Sequence, residues 1–153
     1  MECAGKVGYE IKTLDHIIER NIINISLKNG MDRVTVMHGW IIGYLYANEH
    51  RDIYQKDLES EFCISRSTVT NILKLMEKKG YIERISVEKD ARLKKIILTD
   101  KARKIQRQNY IDMHNMVETQ LKKGISEEDM EKFIQIIRKM KENLTDKKTG
   151  KER

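Results

Sequence analysis

The sequence predicts a mainly α-helical fold that carries one small β-hairpin, and three observations support this prediction. The 153 residues include no proline and 35% charged residues, which favours long helices with solvated faces. Apolar residues recur at three- and four-residue steps through most of the chain, as in helices packed on one side. Only residues 81–98 change period, because β-branched residues there cluster in two runs on either side of a polar stretch.

Length and composition exclude several classes of protein. A chain of this size can bury one core, although its helices can extend beyond that core. No run approaches about 18 apolar residues and the first ten residues lack an apolar centre, so we expect a cytoplasmic protein without membrane contact. Cys3 and Cys63 form no CxxC pair, and the four histidines show no metal-ligand spacing. We therefore expect no metal and no other cofactor.

The first two helices follow from apolar periodicity. Seven isoleucines and leucines predict a helix over residues 8–28, which Asn29 and Gly30 end. A second helix is predicted from a Thr35 cap to about Asn48. Its candidates for burial are Val36, Trp40, Ile41, Leu45 and Tyr46.

A short third helix and a longer fourth helix are joined by a tight turn. The third helix is predicted over residues 55–62, and the fourth lies between a Ser65 cap and Gly80. At about 100° per residue, one face of the fourth helix is apolar and the other is small, polar and basic. The apolar face consists of Val69, Ile72, Leu73 and Met76.

The rest of the chain is a hairpin followed by two helices. Residues 88–92 are too polar to bury and are predicted to form the hairpin tip. Thr99 and Asp100 are expected to cap one long helix that runs to about Lys123, and Gly124 stops it. Residues 126–129 are typical of a capping box that opens a last helix, before a charged tail at 146–153. The apolar stripe of that helix is Met130, Phe133, Ile134, Ile137, Met140 and Leu144.

Positive charge is concentrated on the fourth helix and the hairpin. Residues 64–98 contain nine lysines and arginines against four acids, whereas the whole chain carries a net charge of +6. A solvated lysine-rich surface is the alternative interpretation, and charge alone does not decide between it and a surface for a polyanion.

The position of these cations predicts a DNA interface. The fourth helix is expected to enter the major groove, while Arg92 at the hairpin tip reaches a neighbouring minor groove. Asp90 is expected to hold the Arg92 side chain through an ion pair, and Lys95 to contact a phosphate. The other predicted contacts are Arg66, Ser67, Thr68, Thr70, Asn71, Lys74, Lys78, Lys89 and Lys94.

Four segments carry a resemblance to a known family. They are Gln55-Lys56-Asp57-Leu58, the run from Ile64 to Thr70, Leu75-Met76-Glu77-Lys78-Lys79-Gly80-Tyr81-Ile82-Glu83-Arg84, and Asp90-Ala91-Arg92 ahead of Ile97-Leu98-Thr99. In this order and spacing they resemble the MarR family of bacterial winged-helix regulators. Glu59 stands where a small residue is frequent, and Cys63 stands where the turn often has glycine.

The resemblance implies a winged helix-turn-helix lobe plus a helical dimerisation region. It assigns dimerisation to residues 1–34 and 100–153, and DNA binding to residues 35–99, with the recognition helix at 65–79 and the wing at 81–98. A homodimer of this kind requires a pseudo-palindromic site on double-stranded DNA. The apolar stripes of the first and last helices independently favour a dimer, although helices folded back on a monomer are the alternative.

The resemblance also implies a regulatory signal. Many members bind a small aromatic or anionic ligand, for which His16, His38, Trp40 and Tyr44 are the candidate residues here. The alternative is a packed core, to which a tryptophan at helical spacing belongs more often than to a ligand site. Cys3 is a candidate oxidant sensor, whereas Cys63 is expected to be packed and inert.

Taken together, these features predict a sequence-specific transcription regulator, and we expect a repressor rather than an activator. No GxGxxG, P-loop or GxSxG motif is present, and helix capping explains Ser65, so an enzyme is not expected. A winged helix used for protein contact or for nonspecific architectural DNA binding is the alternative that shares the same fold.

Overall fold

A computed structural model describes residues 3–28, 36–88, 90–107 and 111–145. It confirms the predicted fold class, because the described residues form helices and one antiparallel hairpin. The elements are α1 (Val7–Lys28), α2 (Val36–Ala47), α3 (Gln55–Glu61), α4 (Arg66–Lys78), β1 (Ile82–Val87), β2 (Asp90–Leu98), α5 (Asp100–Ile105), α6 (Ile111–Lys122) and α7 (Glu127–Thr145). The chain divides into two compact units, Met1–Val117 and Glu118–Arg153.

The core of the first unit lies among α2, α3, α4, the hairpin and α5. Val69, Leu73 and Met76 on one side of α4 are completely buried, so the predicted apolar face of this helix is confirmed. Each large apolar side chain buried in this way contributes about 1.5–3 kcal/mol relative to exposure. The remaining core residues are Ile41, Ile42, Leu45, Ile53, Leu58, Tyr81, Ile82, Ile96, Leu98 and Ala102.

The turn between α3 and α4 contains an unusual backbone conformation. Cys63 has a φ of 52°, in the left-handed region that favours glycine. Glycine suits this position because it adopts such a φ without strain. The Cys63 thiol is exposed, so the prediction that it is packed is wrong. The Ser65 hydroxyl then accepts a hydrogen bond from the Thr68 amide at 3.2 Å, which confirms the predicted cap of α4.

The hairpin is longer than its composition suggested. β1 pairs antiparallel with β2 from Ile82 opposite Leu98 to Val87 opposite Asp90, with an irregularity after Ser86. The hairpin tip is therefore shorter than the predicted residues 88–92, because cross-strand pairing extends β2 back to Asp90. The predicted contact Lys89 lies outside the described residues.

A third backbone segment joins this small sheet. Tyr54 forms an isolated antiparallel bridge with Lys95, and the Ile96 amide donates to the Ile53 carbonyl at 2.8 Å. The segment before α3 is thus held against β2, which ties the hairpin to the helix-turn-helix. This contact joins residues more than forty positions apart and is not predictable from local sequence patterns.

The structure describes two parts of the single long helix expected after the hairpin, and residues 108–110 between them lie outside the described residues. Thr99 caps α5 as predicted, since its hydroxyl accepts from the Ala102 amide. However, α5 ends at Ile105, a wider π-type turn follows at Gln106, and the next described residues begin α6. Gly124, with a φ of 78°, follows α6 as predicted.

The second unit consists mainly of α7. The Ser126 hydroxyl accepts from the Asp129 amide at 3.1 Å, which confirms the predicted cap. All side chains of α7 are at least partly exposed, and Leu144 is 80% exposed. The apolar stripe is therefore only partly covered within the described residues.

The second helix corrects one expectation about burial. Ile41 and Leu45 are buried as predicted, but Trp40 is 51% exposed and His38 is only 2% exposed. Helix α2 is apolar on nearly every side, so its periodicity does not reveal which side faces the core. The predicted Thr35 cap and the stop at residues 29–30 lie outside the described residues. In the described ranges, every helix is too short or too polar to cross a membrane.

Candidate nucleic-acid interface

The polar face of α4 is the centre of the candidate interface. With Val69, Leu73 and Met76 facing the core, the opposite side of the helix is open to a partner. Within the described residues, the side chains of Arg66, Asn71 and Lys74 form neither hydrogen bonds nor ion pairs. The predicted contacts that are exposed on α4 are Arg66, Ser67, Thr68, Asn71, Lys74 and Lys78.

Three hydroxyl groups gather at the start of α4. The Ser65 Oγ lies 3.0 Å from the Ser67 Oγ and 2.8 Å from the Thr68 Oγ1. Their number and exposure suit hydrogen bonds to phosphate oxygens, while Arg66 provides the charge. The first turn of α4 also contains no acidic residue, so a polyanion meets the positive end of the helix without repulsion.

Thr70 differs from the other predicted contacts because it is half-buried and bonded within the protein. Its Oγ1 donates to the Arg66 carbonyl at 2.8 Å and accepts from the Gln55 Nε2 at 2.9 Å. Gln55 therefore connects α3 to α4. From the sequence, Gln55 is recognisable only as part of a motif, because its contact with Thr70 joins residues fifteen positions apart.

A cationic cleft of about 420 Å³ is lined by residues of α3, α4 and the hairpin. It brings together predicted DNA contacts from α4 and β2. Two further cations, Lys56 and Arg84, also line it, although they were not among the predicted contacts. One acid, Glu59, also lines it. The five cations of this cleft are Lys56, Arg66, Arg84, Arg92 and Lys94.

Arg84 is held by an ion pair that joins the end of α4 to the hairpin. Its Nε lies 3.0 Å from the Glu77 Oε2, and a second nitrogen of the same guanidinium also donates to this oxygen. These hydrogen bonds, with the positive charge of Arg84, hold the pKa of Glu77 below its ordinary value. The pair orients β1 relative to the recognition helix.

Asp90 supports Arg92 in a different way from the one predicted. The Asp90 Oδ1 accepts from the backbone amide of Arg92 at 2.9 Å, whereas the described residues provide no ion pair for the Arg92 guanidinium. The carboxylate therefore fixes the backbone at the start of β2. The exposed Arg92 side chain remains available to a partner, and so does that of Lys94.

Lys95 is less available than its neighbours. Its Nζ lies 3.3 Å from the Asp52 Oδ1, and its side chain is 35% exposed. An acid at this distance offsets part of the positive charge that a phosphate would meet. The prediction of a phosphate contact is therefore weaker for Lys95 than for Lys94.

The candidate ligand residues do not form one described pocket. Tyr44 accepts a hydrogen bond from Arg51, Trp40 packs edge-on against His114 with ring centroids 5.5 Å apart, and His16 is exposed on α1. His38 is buried, and burial together with the charge of Lys79 lowers its pKa. The two cavities described for this chain involve other residues.

Comparisons with known proteins agree with this geometry. Residues 34–93 match the model of the MarR family. The structure is similar to that of S. aureus MepR in a complex with DNA, with 25% identity, a TM-score of 0.80, and coverage of 90% of this chain and 98% of that one. It is also similar to the transcription regulator MarR from Oenococcus oeni PSU-1, with 29% identity, a TM-score of 0.73, and coverage of 90% and 99%.

A more distant likeness concerns the fold alone. The heme sensor protein PefR, in a complex with heme and carbon monoxide, is 23% identical with a TM-score of 0.63, and the match covers 88% of this chain and 91% of that one. Curated proteins include none that matches by sequence. The matched segment contains α2, α3, α4 and most of the hairpin, and it therefore includes most of the residues that line the cationic cleft. Residues 34–93 of this chain therefore match the MarR family, and the structure is similar to solved structures of transcription regulators.

Proposed function

We propose that this regulator is a homodimeric repressor that binds a pseudo-palindromic operator and is released by a small ligand. The observation that carries the proposal is the cationic cleft, which brings Arg66 of the exposed polar face of α4 together with Arg92 of the hairpin. Residues 35–99 form the DNA-binding lobe in this proposal. Residues 1–34 and 100–153 provide dimerisation, and the protein acts in the cytoplasm.

Each part of the interface has its own task. The start of α4 enters the major groove, where Arg66, Ser67 and Asn71 meet base edges and phosphates. Lys74, Lys78 and Lys94 supply affinity that depends on salt but not on sequence. The wing, consisting of β1 and β2, places Arg92 in the adjacent minor groove. Lys89 remains part of this proposal as a phosphate contact.

Two apolar helix faces support dimerisation. On α1, Ile11 and Ile17 are 44% and 47% exposed, and on α7, Phe133 and Leu144 are 48% and 80% exposed. Exposed apolar side chains that recur along one helix are characteristic of a protein interface. Two lobes related by a two-fold axis then contact two half-sites about one helical turn apart, or a multiple of it.

Release by a small aromatic or anionic ligand is proposed at the helices that connect the lobe to the dimer. Trp40 is half-exposed beside His114, and His38 and Tyr44 lie on the same helix. An aromatic wall with a few polar groups suits a small aromatic acid. A thermal-shift screen with phenolic and anionic compounds tests this part, and no stabilising compound in such a screen would contradict it.

Fluorescence anisotropy tests operator binding. The wild-type protein is titrated onto DNA from upstream of its own gene and onto a shuffled control across a salt series. We expect selective binding that Arg92→Ala weakens by about 1–3 kcal/mol. Lys95→Ala is the matched control, since Asp52 already offsets its charge, and it should have a smaller effect. Equal weak binding to both DNAs would favour nonspecific binding instead.

A further inference from the structure

The strongest unexplained feature of the interface is the hydrogen-bond network around Gln55. Its Nε2 lies 3.0 Å from the Glu59 Oε1, 2.9 Å from the Thr70 Oγ1 and 3.2 Å from the Arg66 carbonyl. Both helices of the helix-turn-helix thus meet at one amide group. In the MarR family, a small residue is frequent at the position of Glu59. Here the Glu59 carboxylate accepts the hydrogen bond at one end of the network.

The chemistry of the neighbours fixes the orientation of the Gln55 amide. A carboxylate and a backbone carbonyl only accept hydrogen bonds, so the nitrogen of Gln55 must face Glu59 and Arg66. The Thr70 hydroxyl donates its proton to the Arg66 carbonyl at 2.8 Å, and therefore it accepts from Gln55. Its only proton and one of its two lone pairs are thus engaged inside the protein.

This arrangement limits what Thr70 offers to DNA. A hydroxyl that already donates to the protein has no proton left for a phosphate oxygen or for an acceptor on a base edge. The Thr70 methyl group is not limited in this way. In the major groove, the apolar group available for such a contact is the C5-methyl of thymine, which distinguishes thymine from the other bases.

We propose that Thr70 recognises a thymine in each half-site through contact between methyl groups, and that Gln55 is the positioning residue that makes this possible. Glu59 anchors the Gln55 amide, and Gln55 in turn holds the Thr70 hydroxyl toward the Arg66 carbonyl. The inference rests on the proposed operator binding. It adds the mode of contact and the class of base that Thr70 reads.

Two variants of Thr70 separate the methyl group from the hydroxyl. Thr70→Val keeps a methyl at each branch of the β-carbon and loses the hydroxyl, whereas Thr70→Ser keeps the hydroxyl and loses the methyl. The DNA is a site selected by the wild-type protein from random sequence. Each thymine of the recognition half-site is replaced in turn by uracil, which removes only the C5-methyl group.

We expect one thymine position at which uracil weakens wild-type binding by about fourfold, the effect of losing one buried methyl-sized contact. Thr70→Val should retain this loss at the same position. Thr70→Ser should bind the thymine and uracil sites equally well. If Thr70→Ser still distinguishes thymine from uracil there, or if no position is sensitive to uracil, the inference is wrong.

Gln55→Met tests the positioning role, because methionine has similar length but no donor. It should reduce the discrimination between thymine and uracil without changing the salt slope of binding, which reports the number of phosphate contacts. Glu59→Gln, which keeps an acceptor oxygen, should preserve more of the discrimination than Glu59→Ala. Unchanged discrimination in Gln55→Met would refute the role of Gln55.

The selection step separates this inference from the proposed function. If the wild-type protein enriches no sequence from random DNA, operator binding fails and the inference fails with it. If it enriches a site that shows no dependence on a thymine methyl group, the inference alone is overturned. Circular dichroism and melting of each variant establish that the compared proteins are folded.

Discussion

Helices α4 and α7 both carry an apolar stripe beside a charged face, but the stripes have opposite surroundings. On α4, Val69, Leu73 and Met76 are completely buried in the core of the first unit. On α7, Phe133 is 48% exposed and Leu144 is 80% exposed. The apolar face of α4 is therefore covered by its own chain, which leaves its polar face for a partner. The apolar face of α7 still needs a partner.

The largest difference should appear in stability. Leu73→Ala leaves a cavity in a fully packed site, and we expect it to lower the free energy of unfolding by about 2–5 kcal/mol. Phe133→Ala should cost far less at protein concentrations at which the dimer dissociates. Urea denaturation at several protein concentrations measures both effects. Equal costs at the lowest concentration would show that Phe133 is packed within its own chain.

The comparison also predicts which helix controls assembly. Phe133→Glu places a charge in the middle of the apolar stripe, so we expect the dissociation constant of the dimer to rise at least about tenfold. Gln135→Glu adds the same charge to an exposed position of α7 and is the control. Sedimentation measures the mass of each variant against the 18.1 kDa of one chain. If the wild-type protein sediments only at that mass, it is a monomer and the dimer hypothesis is wrong.

Polar contacts around α4 should matter for DNA affinity more than for folding. Glu77→Gln weakens the ion pair that holds Arg84, so the wing is less well positioned. We therefore expect operator affinity to fall by about twofold to fivefold. Glu83→Gln removes the same charge from an exposed position of β1 and should instead strengthen binding slightly. Anisotropy titrations compare the two variants. Identical effects would mean that charge alone matters and that the ion pair has no positioning role.

The smallest effect concerns pH. Burial lowers the pKa of His38 below its ordinary value of 6.5. His38 therefore binds a proton more readily in the unfolded chain than in the folded chain. Neutral His38 makes its full contribution to stability above pH 6.5. This contribution is lost as the pH falls through the lowered pKa. We expect melting temperatures to fall between about pH 7 and pH 5, and His38→Phe to flatten this dependence.

The exposed His50 provides the control for that measurement. His50→Gln removes one histidine without altering a buried site, so the pH dependence of melting should remain that of the wild type. If His38→Phe and His50→Gln behave alike, buried His38 is not the source of the acid sensitivity.

Features that depend on local hydrogen bonds were predictable from the sequence. Ser65 and Ser126 cap helices, and Gly80 and Gly124 adopt positive φ after helices, because each of these roles involves residues a few positions apart. The order of the helices and the presence of the hairpin followed in the same way. The apolar period also identified the buried face of α4.

Features that depend on tertiary contacts were not predictable. The engagement of Thr70 by Gln55, the ion pair of Glu77 with Arg84 and the entry of Lys56 into the cleft all require the packing of α3 and the hairpin against α4. The burial of His38 instead of Trp40 could not be read from α2, where nearly all sides are apolar. Likewise, the start of β2 depends on cross-strand pairing that polarity alone does not reveal.

Selection of binding sites from random double-stranded DNA tests the central claim most directly. We expect an inverted repeat whose half-site centres are about 10 base pairs apart, or a multiple of this spacing, because two recognition helices related by a two-fold axis must face the same side of the duplex. Enrichment of a single unrepeated half-site would contradict the dimeric arrangement. Failure to enrich any sequence would contradict operator recognition itself.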